Sequence, residues 1–290
     1  MSTQPFNKIR EFGASSVYAG DSRDLMRSIA DNDGKFRLIF GDPPFGIGVN
    51  YDGEFDDGMS AFEYSEFTRT WLWIVPELLP PGGRLVVHVP DRCVYPVLKH
   101  ADSCGLIMDE WIIWHFRFGQ NTRGKFTESK CHGIVFKTEG ESVWNPEAVA
   151  VETDRSRIYK DARTTKRDDT RNYKHQLEPG QRVPFDVWGG DVDTFADGEV
   201  LVGDGKFWGR VPGNSKERRP DHENQLPELY MRRYILAYTN IRDWVLDPFG
   251  GSGTTAVVAH ALDRHFITCD QSDKYAESIA QRVEKGAVRI

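Results

Sequence analysis

Two short segments, each directly after an apolar run, constrain the fold of this chain most strongly. Asp42-Pro43-Pro44-Phe45 follows the run Leu38-Ile39-Phe40, and residues 247–255, with the sequence DPFGGSGTT, follow the run Trp244-Val245-Leu246. Apolar runs of this kind predict buried strands, and open α/β sheets place their ligands at the carboxyl ends of strands. The two segments therefore predict an α/β fold with ligand-binding loops after two of its strands.

The remaining pattern alternates short strands with helices. Apolar segments rich in β-branched or aromatic residues predict strands at residues 36–40, 84–89, 111–118, 133–137, 244–246 and 266–269. Helical patterns cover residues 62–79, 93–103, 227–237, 254–262 and 272–285, the last with Ser272 as its N-cap. Because alternating strands and helices need crossover connections, we expect a mostly parallel sheet with helices on both faces.

Residues 142–219 interrupt this alternation. The segment is polar, rich in Gly and Asp, and has no sustained helical period, which indicates a functional insert or a small subdomain. Residues 155–174 carry eight basic and three acidic residues, whereas the whole chain has a net charge of −7. One basic segment in an acidic protein suits a polyanion held over one face, although a solvated charged face would give the same pattern. We therefore divide the chain into residues 1–141, 142–219 and 220–290.

Several classes of protein are disfavoured by composition. The four cysteines are scattered, with no CxxC pair and no histidine at ligand spacing, which argues against a zinc site and against a disulfide framework. No run approaches the roughly 18 apolar residues of a membrane span. The N-terminus also lacks a signal-peptide pattern. We expect a cytoplasmic protein without a bound metal.

The glycine-rich segment has the properties of a cofactor loop. It lacks the lysine of a phosphate-binding P-loop and the spacing of a dinucleotide-binding loop. Asp247 begins it, and Asp270 ends the next predicted strand, where an acid suits the hydroxyls of a ribose. Two acids without a phosphate-binding cation indicate S-adenosylmethionine, which is cationic at sulfur and nitrogen; a turn that merely packs a helix on a strand is the alternative. The candidate cofactor residues here are Asp247, Pro248, Phe249, Gly250, Gly251, Ser252, Gly253, Thr254 and Asp270.

The first segment, Asp42-Pro43-Pro44-Phe45, has acceptors suited to binding a planar amino group. The side chain of Asp42 and the backbone carbonyl of Pro43 are both acceptors, so together they can bind both hydrogens of an exocyclic NH₂. Pro43 and Pro44 stiffen the backbone that presents this carbonyl, and Phe45 supplies a face on which a base can stack. A base inside a duplex must be flipped out to reach such a clamp. Asp42, Pro43, Pro44 and Phe45 are therefore the candidate catalytic residues, with a plain turn as the alternative.

These two segments together resemble motifs of the amino-group DNA methyltransferases that modify adenine N6 or cytosine N4. The order, with DPPF before the glycine loop, is similar to that of their permuted group. Residues 18–22 resemble a Gly-Asp element whose acid helps to hold the adenosine part of the cofactor, a role that Asp21 would inherit. Further similar elements occur at residues 79–85, 114–126, 187–188 and 213–227. Gln225-Leu226-Pro227 departs from the Gln-Lys-Pro usual in the family, so no role is transferred to Leu226.

The resemblance implies a Rossmann-like methyltransferase domain formed by residues 1–141, the catalytic half, and 220–290, the cofactor half, with a target-recognition insert at 142–219. It implies adenine-N6 methylation of double-stranded DNA with S-adenosylmethionine as cofactor. Cytosine-N4 methylation and a non-catalytic DNA-binding relative are the alternatives. The resemblance is also compatible with a homodimer and with a cognate restriction endonuclease as partner.

Some residues with chemically active or aromatic side chains lie outside these motifs. The histidines His88, His115 and His132 lie in strand-like runs, which favours core or lining positions over catalysis. Trp188 and Trp208 lie in the polar insert, where aromatic residues are less expected in a core, and are candidates for contact with DNA.

Overall fold

A sheet with nine strands among the described residues organises the fold. The computed structural model describes residues 6–46, 50–51, 55–56, 58–116, 124, 126–152, 177, 181–188, 211, 216–219, 222 and 224–288. The strands are β1 (Phe6–Phe12), β2 (Ser15–Gly20), β3 (Leu38–Gly41), β4 (Asn50–Tyr51), β5 (Phe55–Asp56), β6 (Arg84–Val89), β7 (Ile107–His115), β8 (Lys130–Lys137), β9 (Val151–Glu152), β10 (Gln181–Arg182), β11 (Val187–Trp188), β12 (Trp244–Asp247) and β13 (His265–Asp270). The helices are α1 (Ser22–Ala30), α2 (Ala61–Leu72), α3 (Val75–Leu78), α4 (Asp91–Ser103), α5 (Glu228–Tyr238), α6 (Thr254–Ala261) and α7 (Asp273–Lys285).

The strand order in the main sheet is β1-β2-β13-β12-β3-β6-β8-β7-β11. Neighbouring strands from β2 to β6 are parallel, which confirms the mostly parallel sheet. Strand β8 is antiparallel to β6 and β7, because it follows β7 with no helix among the described residues between them. Strands β12 and β3 are neighbours in the middle of the sheet. The chain connects β12 to β13 on one side of this pair and β3 to β6 on the other side, so the direction of winding reverses between β3 and β12.

Helices cover both faces of the sheet, as predicted. Successive residues of β3 point to opposite sides, so that Leu38 and Phe40 belong to one apolar cluster and Ile39 belongs to the other. The first cluster includes residues of α5, α6 and α7, and the second includes residues of α1 to α4. The central strands are therefore buried on both faces, which explains their nearly continuous apolar sequences.

Several predicted elements differ in detail from those observed. The helix predicted at 62–79 is two helices, because Pro76 lies in the first turn of α3 and its missing N–H cannot continue the ladder of α2. The hairpin β1–β2 and helix α1 were not predicted, since the edge strand β1 has no regular alternation of buried residues. The N-cap of α7 is confirmed, because the Oγ of Ser272 accepts a hydrogen bond from the backbone N–H of Tyr275.

Parts of the insert lie among the described residues. Strands β9 and β10 pair with each other, and β11 joins the main sheet beside β7. The ring of Trp188 is buried against Tyr230 and Tyr234, so the interpretation of Trp188 as a DNA contact is wrong. Trp208 and the basic segment 155–174 lie outside the described residues. None of the described helices is long and apolar enough to cross a membrane.

Candidate active site

A cavity of about 360 Å³ opens where β3 and β12 end. The loops after β2, β3, β12 and β13 line it, together with His222 and Tyr275. This position is the switch point of the sheet, where the carboxyl ends of strands with diverging connections leave a crevice. Of the fourteen candidate residues, all but Gly253 line the cavity. The lining also includes Arg23, Met59, Phe67 and Gln271, which were not singled out from the sequence.

The glycine loop is held by its own backbone and by its neighbours. The N–H of Gly250 donates to the carbonyl of Cys269 over 2.7 Å, and the N–H of Gly253 donates to the carbonyl of Gly250 over 2.8 Å. Gly253 has a φ of +76° and forms the N-cap of α6, a left-handed conformation that glycine adopts without strain. Gly253 therefore contributes to the conformation of the loop through its backbone, without lining the cavity. The ring of Phe249 packs on Trp71, with 5.3 Å between ring centroids, and ties the loop to α2.

Asp270 joins the end of β13 to the glycine loop. One carboxylate oxygen accepts the N–H of Gly251 over 2.9 Å, and the other accepts the N–H of Ser272 over 2.9 Å. These backbone bonds fix the orientation of the carboxylate. Each oxygen has a second lone pair, so the fixed carboxylate is able to accept further hydrogen bonds from a ligand.

Asp21 lies at the start of α1. Its carboxylate accepts the N–H of Arg23 over 2.8 Å and also binds the guanidinium of Arg23. The hydrogen bond with that guanidinium holds the pKa of Asp21 below its usual range. Arg23 is the one lysine or arginine among the described residues that line the cavity, and its charge is matched by Asp21. No regular spacing in the sequence marks Arg23; its position two residues after Asp21, in the first turn of a helix, was the available signal.

The DPPF segment follows β3 directly. One carboxyl oxygen of Asp42, Oδ1, is buried and has no hydrogen-bond partner among the described residues. The carbonyl of Phe45 accepts a hydrogen bond from the guanidinium of Arg92 over 2.7 Å, and the thiol of Cys93 lies 3.5 Å from the same oxygen. Helix α4 therefore fixes the end of the segment, while Asp42 keeps an acceptor available at the cavity.

Two acids dominate the electrostatics of the cavity: Asp247, which is buried, and Asp42, which is half-buried but has a buried Oδ1. Burial raises the pKa of Asp42 well above its ordinary value, and the nearby charge of Asp247 raises it further. Burial also raises the pKa of Asp247 to about 7, although the N–H of Phe249 donates to its carboxylate over 3.0 Å. Because desolvation opposes the charged form of an acid, both carboxylates would be stabilised by a cation. Among the described residues no cluster of His, Cys, Asp or Glu could hold a metal ion.

Two of the histidines in strand-like runs, His88 and His132, have structural partners. His88 is buried and its Nδ1 lies 3.0 Å from the hydroxyl of Tyr230. His132 is also buried, and its Nδ1 accepts the indole N–H of Trp111 over 2.9 Å. Neither residue lines the cavity, which agrees with their interpretation as core residues.

Fold and site together define a class of protein. The sheet, the crevice at its switch point, the glycine loop with acidic neighbours and the adjacent DPPF segment are those of a DNA methyltransferase. The family model for N6/N4 DNA methylases matches residues 36–282, and the chain belongs to that family.

Curated relatives and solved structures agree with this assignment. The type II methyltransferase M.HpaI of Haemophilus parainfluenzae is 27% identical over 85% of this chain and 68% of its own length. M2.LlaDCHI of Lactococcus lactis subsp. cremoris is 27% identical over 92% of this chain and 88% of its own length.

Two solved structures have a similar fold. The cytosine-N4-specific PvuII DNA methyltransferase superposes with a TM-score of 0.60 at 16% identity, over 94% of this chain and 89% of that chain. The complex of M1.HpyAVI with S-adenosylmethionine gives 0.55 at 18% identity, over 91% of this chain and 98% of that chain. The predicted family and fold, those of S-adenosylmethionine-dependent DNA methyltransferases, are therefore confirmed.

Proposed function

We propose that this protein transfers a methyl group from S-adenosylmethionine to N6 of an adenine flipped out of double-stranded DNA. Asp42 carries the proposal, because its buried Oδ1 has no hydrogen-bond partner among the described residues and lies at the cavity that holds Asp247. S-adenosylmethionine, when bound, supplies an electrophilic methyl group on a cationic sulfur. Its positive charge fits a cavity in which Asp42 and Asp247 have no matching cation among the described residues.

In this proposal the DPPF segment holds the base. The Oδ1 of Asp42 and the carbonyl of Pro43 accept the two hydrogens of the amino group, which leaves the nitrogen lone pair free to attack the methyl group. The new N–C bond replaces the S–C bond of the cofactor, sulfur leaves as a neutral thioether, and the methylated nitrogen releases one of its two hydrogens as a proton. Pro44 stiffens the loop, and Phe45 stacks on the flipped base. Methyl transfer is a single in-line displacement, so positioning of nitrogen and sulfur is the main contribution of the protein.

The glycine loop and its acidic neighbours hold the cofactor. Asp247 faces the cationic part, Asp270 accepts the ribose hydroxyls, and Asp21 binds the adenosine part. Pro248 to Thr254 form the surrounding wall, to which Gly253 contributes through its backbone conformation. These assignments are supported by the position of the three acids around one cavity.

Adenine is the proposed base because Asp-Pro-Pro is commoner in the adenine enzymes of this family and Ser-Pro-Pro in the cytosine-N4 enzymes. A specific observation favours cytosine N4 as the second candidate, since the structurally similar PvuII enzyme is cytosine-N4-specific. Both reactions need the same acceptors for an exocyclic amino group. Asp42 would therefore have the same role in either case.

The partners of the reaction follow from the same proposal. Residues 142–219 read the DNA sequence, and the basic segment 155–174 binds the phosphate backbone. The relatives are type II methyltransferases, so we propose a role in restriction-modification beside a cognate endonuclease. DNA as substrate implies a cytoplasmic location, and a homodimer is the proposed assembly.

The base assignment is tested by analysis of the methylated nucleosides. Purified protein is incubated with unmethylated genomic DNA and isotopically labelled S-adenosylmethionine, and the DNA is digested to nucleosides and separated by chromatography with mass detection. We expect the label in N6-methyl-2′-deoxyadenosine. Label in N4-methylcytosine would overturn adenine but keep the amino-group clamp, whereas label in neither would contradict the proposed function.

The raised pKa of Asp247 predicts a pH dependence of cofactor binding. With a pKa of about 7 in the free protein, this carboxyl must lose a proton to face a cation, so binding should weaken as pH falls below about 7. One linked proton gives at most about a tenfold change in affinity per pH unit. Calorimetric titration at several pH values measures this slope. Asp247→Asn is the matched control, because the difference between the two proteins separates this carboxyl from groups on the ligand; equal slopes would contradict the prediction.

A further inference from the structure

A buried ion pair lies directly beneath the glycine loop. Arg282 of α7 and Glu228 at the start of α5 are 4% and 1% exposed, and their side chains meet over 2.8 Å between Nη2 and Oε1. Neither residue lines the cavity. Burial of two charges is costly, and such pairs often add little to stability compared with well-packed apolar residues. The pair therefore calls for an explanation other than stability.

Arg282 connects this pair to the backbone of the loop. Its second terminal nitrogen, Nη1, donates to the carbonyl of Ser252 over 2.9 Å and to the hydroxyl of Thr254 over 2.9 Å. The next N–H, that of Gly253, donates to the carbonyl of Gly250. Both ends of the peptide between Ser252 and Gly253 are thus fixed, which sets the direction in which the loop presents its groups to the cavity.

Glu228 connects the same pair to other segments. Its Oε2 accepts the N–H of Val288, which lies after α7, over 2.7 Å, and its own N–H donates to the carboxylate of Glu217 over 2.6 Å. The hydroxyl of Thr254 also donates to the carbonyl of Leu226, a residue that lines the cavity. One buried network therefore joins α5, α7, the glycine loop and the segment before α5.

We propose that Arg282 and Glu228 are positioning residues that set the conformation of the cofactor loop, and thereby the affinity for S-adenosylmethionine, without touching the cofactor. This inference rests on the proposed function for the identity of the ligand. The planar guanidinium is essential to it, because a lysine ammonium cannot reproduce the fixed fork that binds Glu228, Ser252 and Thr254 together.

The test compares Arg282→Lys with a matched control on the same helix. Arg10 also binds carboxylates of α7, those of Glu277 and Glu284, but on the exposed outer side. Arg10→Lys therefore removes a guanidinium that binds two carboxylates of α7 but makes no contact with the glycine loop. We expect Arg282→Lys to raise the dissociation constant and the KM for S-adenosylmethionine about tenfold or more. The KM for DNA and the kcat at saturating cofactor should stay within about threefold of the wild type.

Two further measurements separate positioning from general stability. In Arg282→Lys the backbone amides of residues 250–253 should exchange hydrogen faster than in the wild type, whereas in Arg10→Lys they should not. The double variant Arg282→Met with Glu228→Gln removes both charges together, so neither is left buried alone. It should melt within about 4 °C of the wild type and still bind S-adenosylmethionine weakly.

The outcomes are distinguishable. Weak binding and fast loop exchange confined to the Arg282 variants would support the inference. Wild-type affinity in both Arg282 variants, or equal losses in Arg282→Lys and Arg10→Lys together with equal losses of melting temperature, would overturn it. Wild-type protein that binds no S-adenosylmethionine would instead contradict the proposed function, and the exchange of the loop amides would still test whether Arg282 holds the loop.

Discussion

Replacement of Asp42 by alanine is expected to reduce methyl transfer by about 10²- to 10³-fold while S-adenosylmethionine still binds. The variant loses the side-chain acceptor for the amino hydrogens, and loss of one preorganised hydrogen-bonding group at a reacting centre costs a factor of this order. Single-turnover methylation of DNA measures the rate, and calorimetry measures cofactor binding. Retained turnover in the variant would contradict the assignment of Asp42.

The same substitution has a second expected result that separates a functional residue from a structural one. In the wild type Asp42 carries a buried oxygen without a hydrogen-bond partner among the described residues, and burial raises the pKa of its carboxyl. Removal of such a group relieves a desolvation cost. The melting temperature of the cofactor-free variant should therefore equal or exceed that of the wild type. A large fall would assign Asp42 a structural role. Asp24→Ala, on the exposed surface of α1, is the control for loss of an acid.

Replacement of Gly250 by alanine is expected to have the second largest effect. A Cβ atom at this position would lie 2.5 Å from the hydroxyl of Thr268 and 2.7 Å from Cδ1 of Ile279, both closer than any normal contact. The loop must shift or its neighbours must move, at a cost of about 1–3 kcal/mol in the free energy of unfolding. We also expect a loss of about tenfold or more in cofactor affinity, because the shift occurs in the wall of the cavity. Denaturant unfolding and calorimetry measure the two effects.

A second substitution tests the physical reason. Ile279→Val removes Cδ1, the atom that the new Cβ would meet, so the double variant Gly250→Ala with Ile279→Val should recover part of the affinity lost by Gly250→Ala. Ile279→Val alone is the control, with an expected cost of about 1 kcal/mol in stability. Equal cofactor affinity in Gly250→Ala and the wild type would show that the loop tolerates the added atom and would contradict the close packing described for it.

The site residues with a local sequence signature were predictable. Asp42 and Asp247 each follow an apolar strand, and because β3 and β12 are parallel neighbours, their carboxyl ends open into the same cavity. Asp270 could be placed in the same way at the end of β13. Gly253, also predicted to bind the cofactor, does not line the cavity; its backbone forms the N-cap of α6. Sequence order identifies the loop but does not determine which of its glycines faces the ligand.

Other features depend on packing across the fold and have no local signature. Arg282 looks like one of several charged residues in a polar helix, and its burial beside Glu228 arises only when α5 and α7 meet beneath the loop. The prediction of a mostly parallel sheet did not identify β8 as its antiparallel strand. The rule that alternating helices imply crossovers says nothing about two strands that follow each other directly. Trp188 was placed in a polar insert by its neighbours in sequence, whereas its strand joins the main sheet and its ring enters the core.

The most direct test of the central claim is modified-base sequencing of DNA from a methylation-free bacterial host that expresses this chain, beside the same host expressing Asp42→Ala. The account predicts N6-methyladenine at one recurring sequence motif in the first sample and its loss in the second. An unmodified genome despite expression of folded wild-type protein, or equal modification with both proteins, would contradict it.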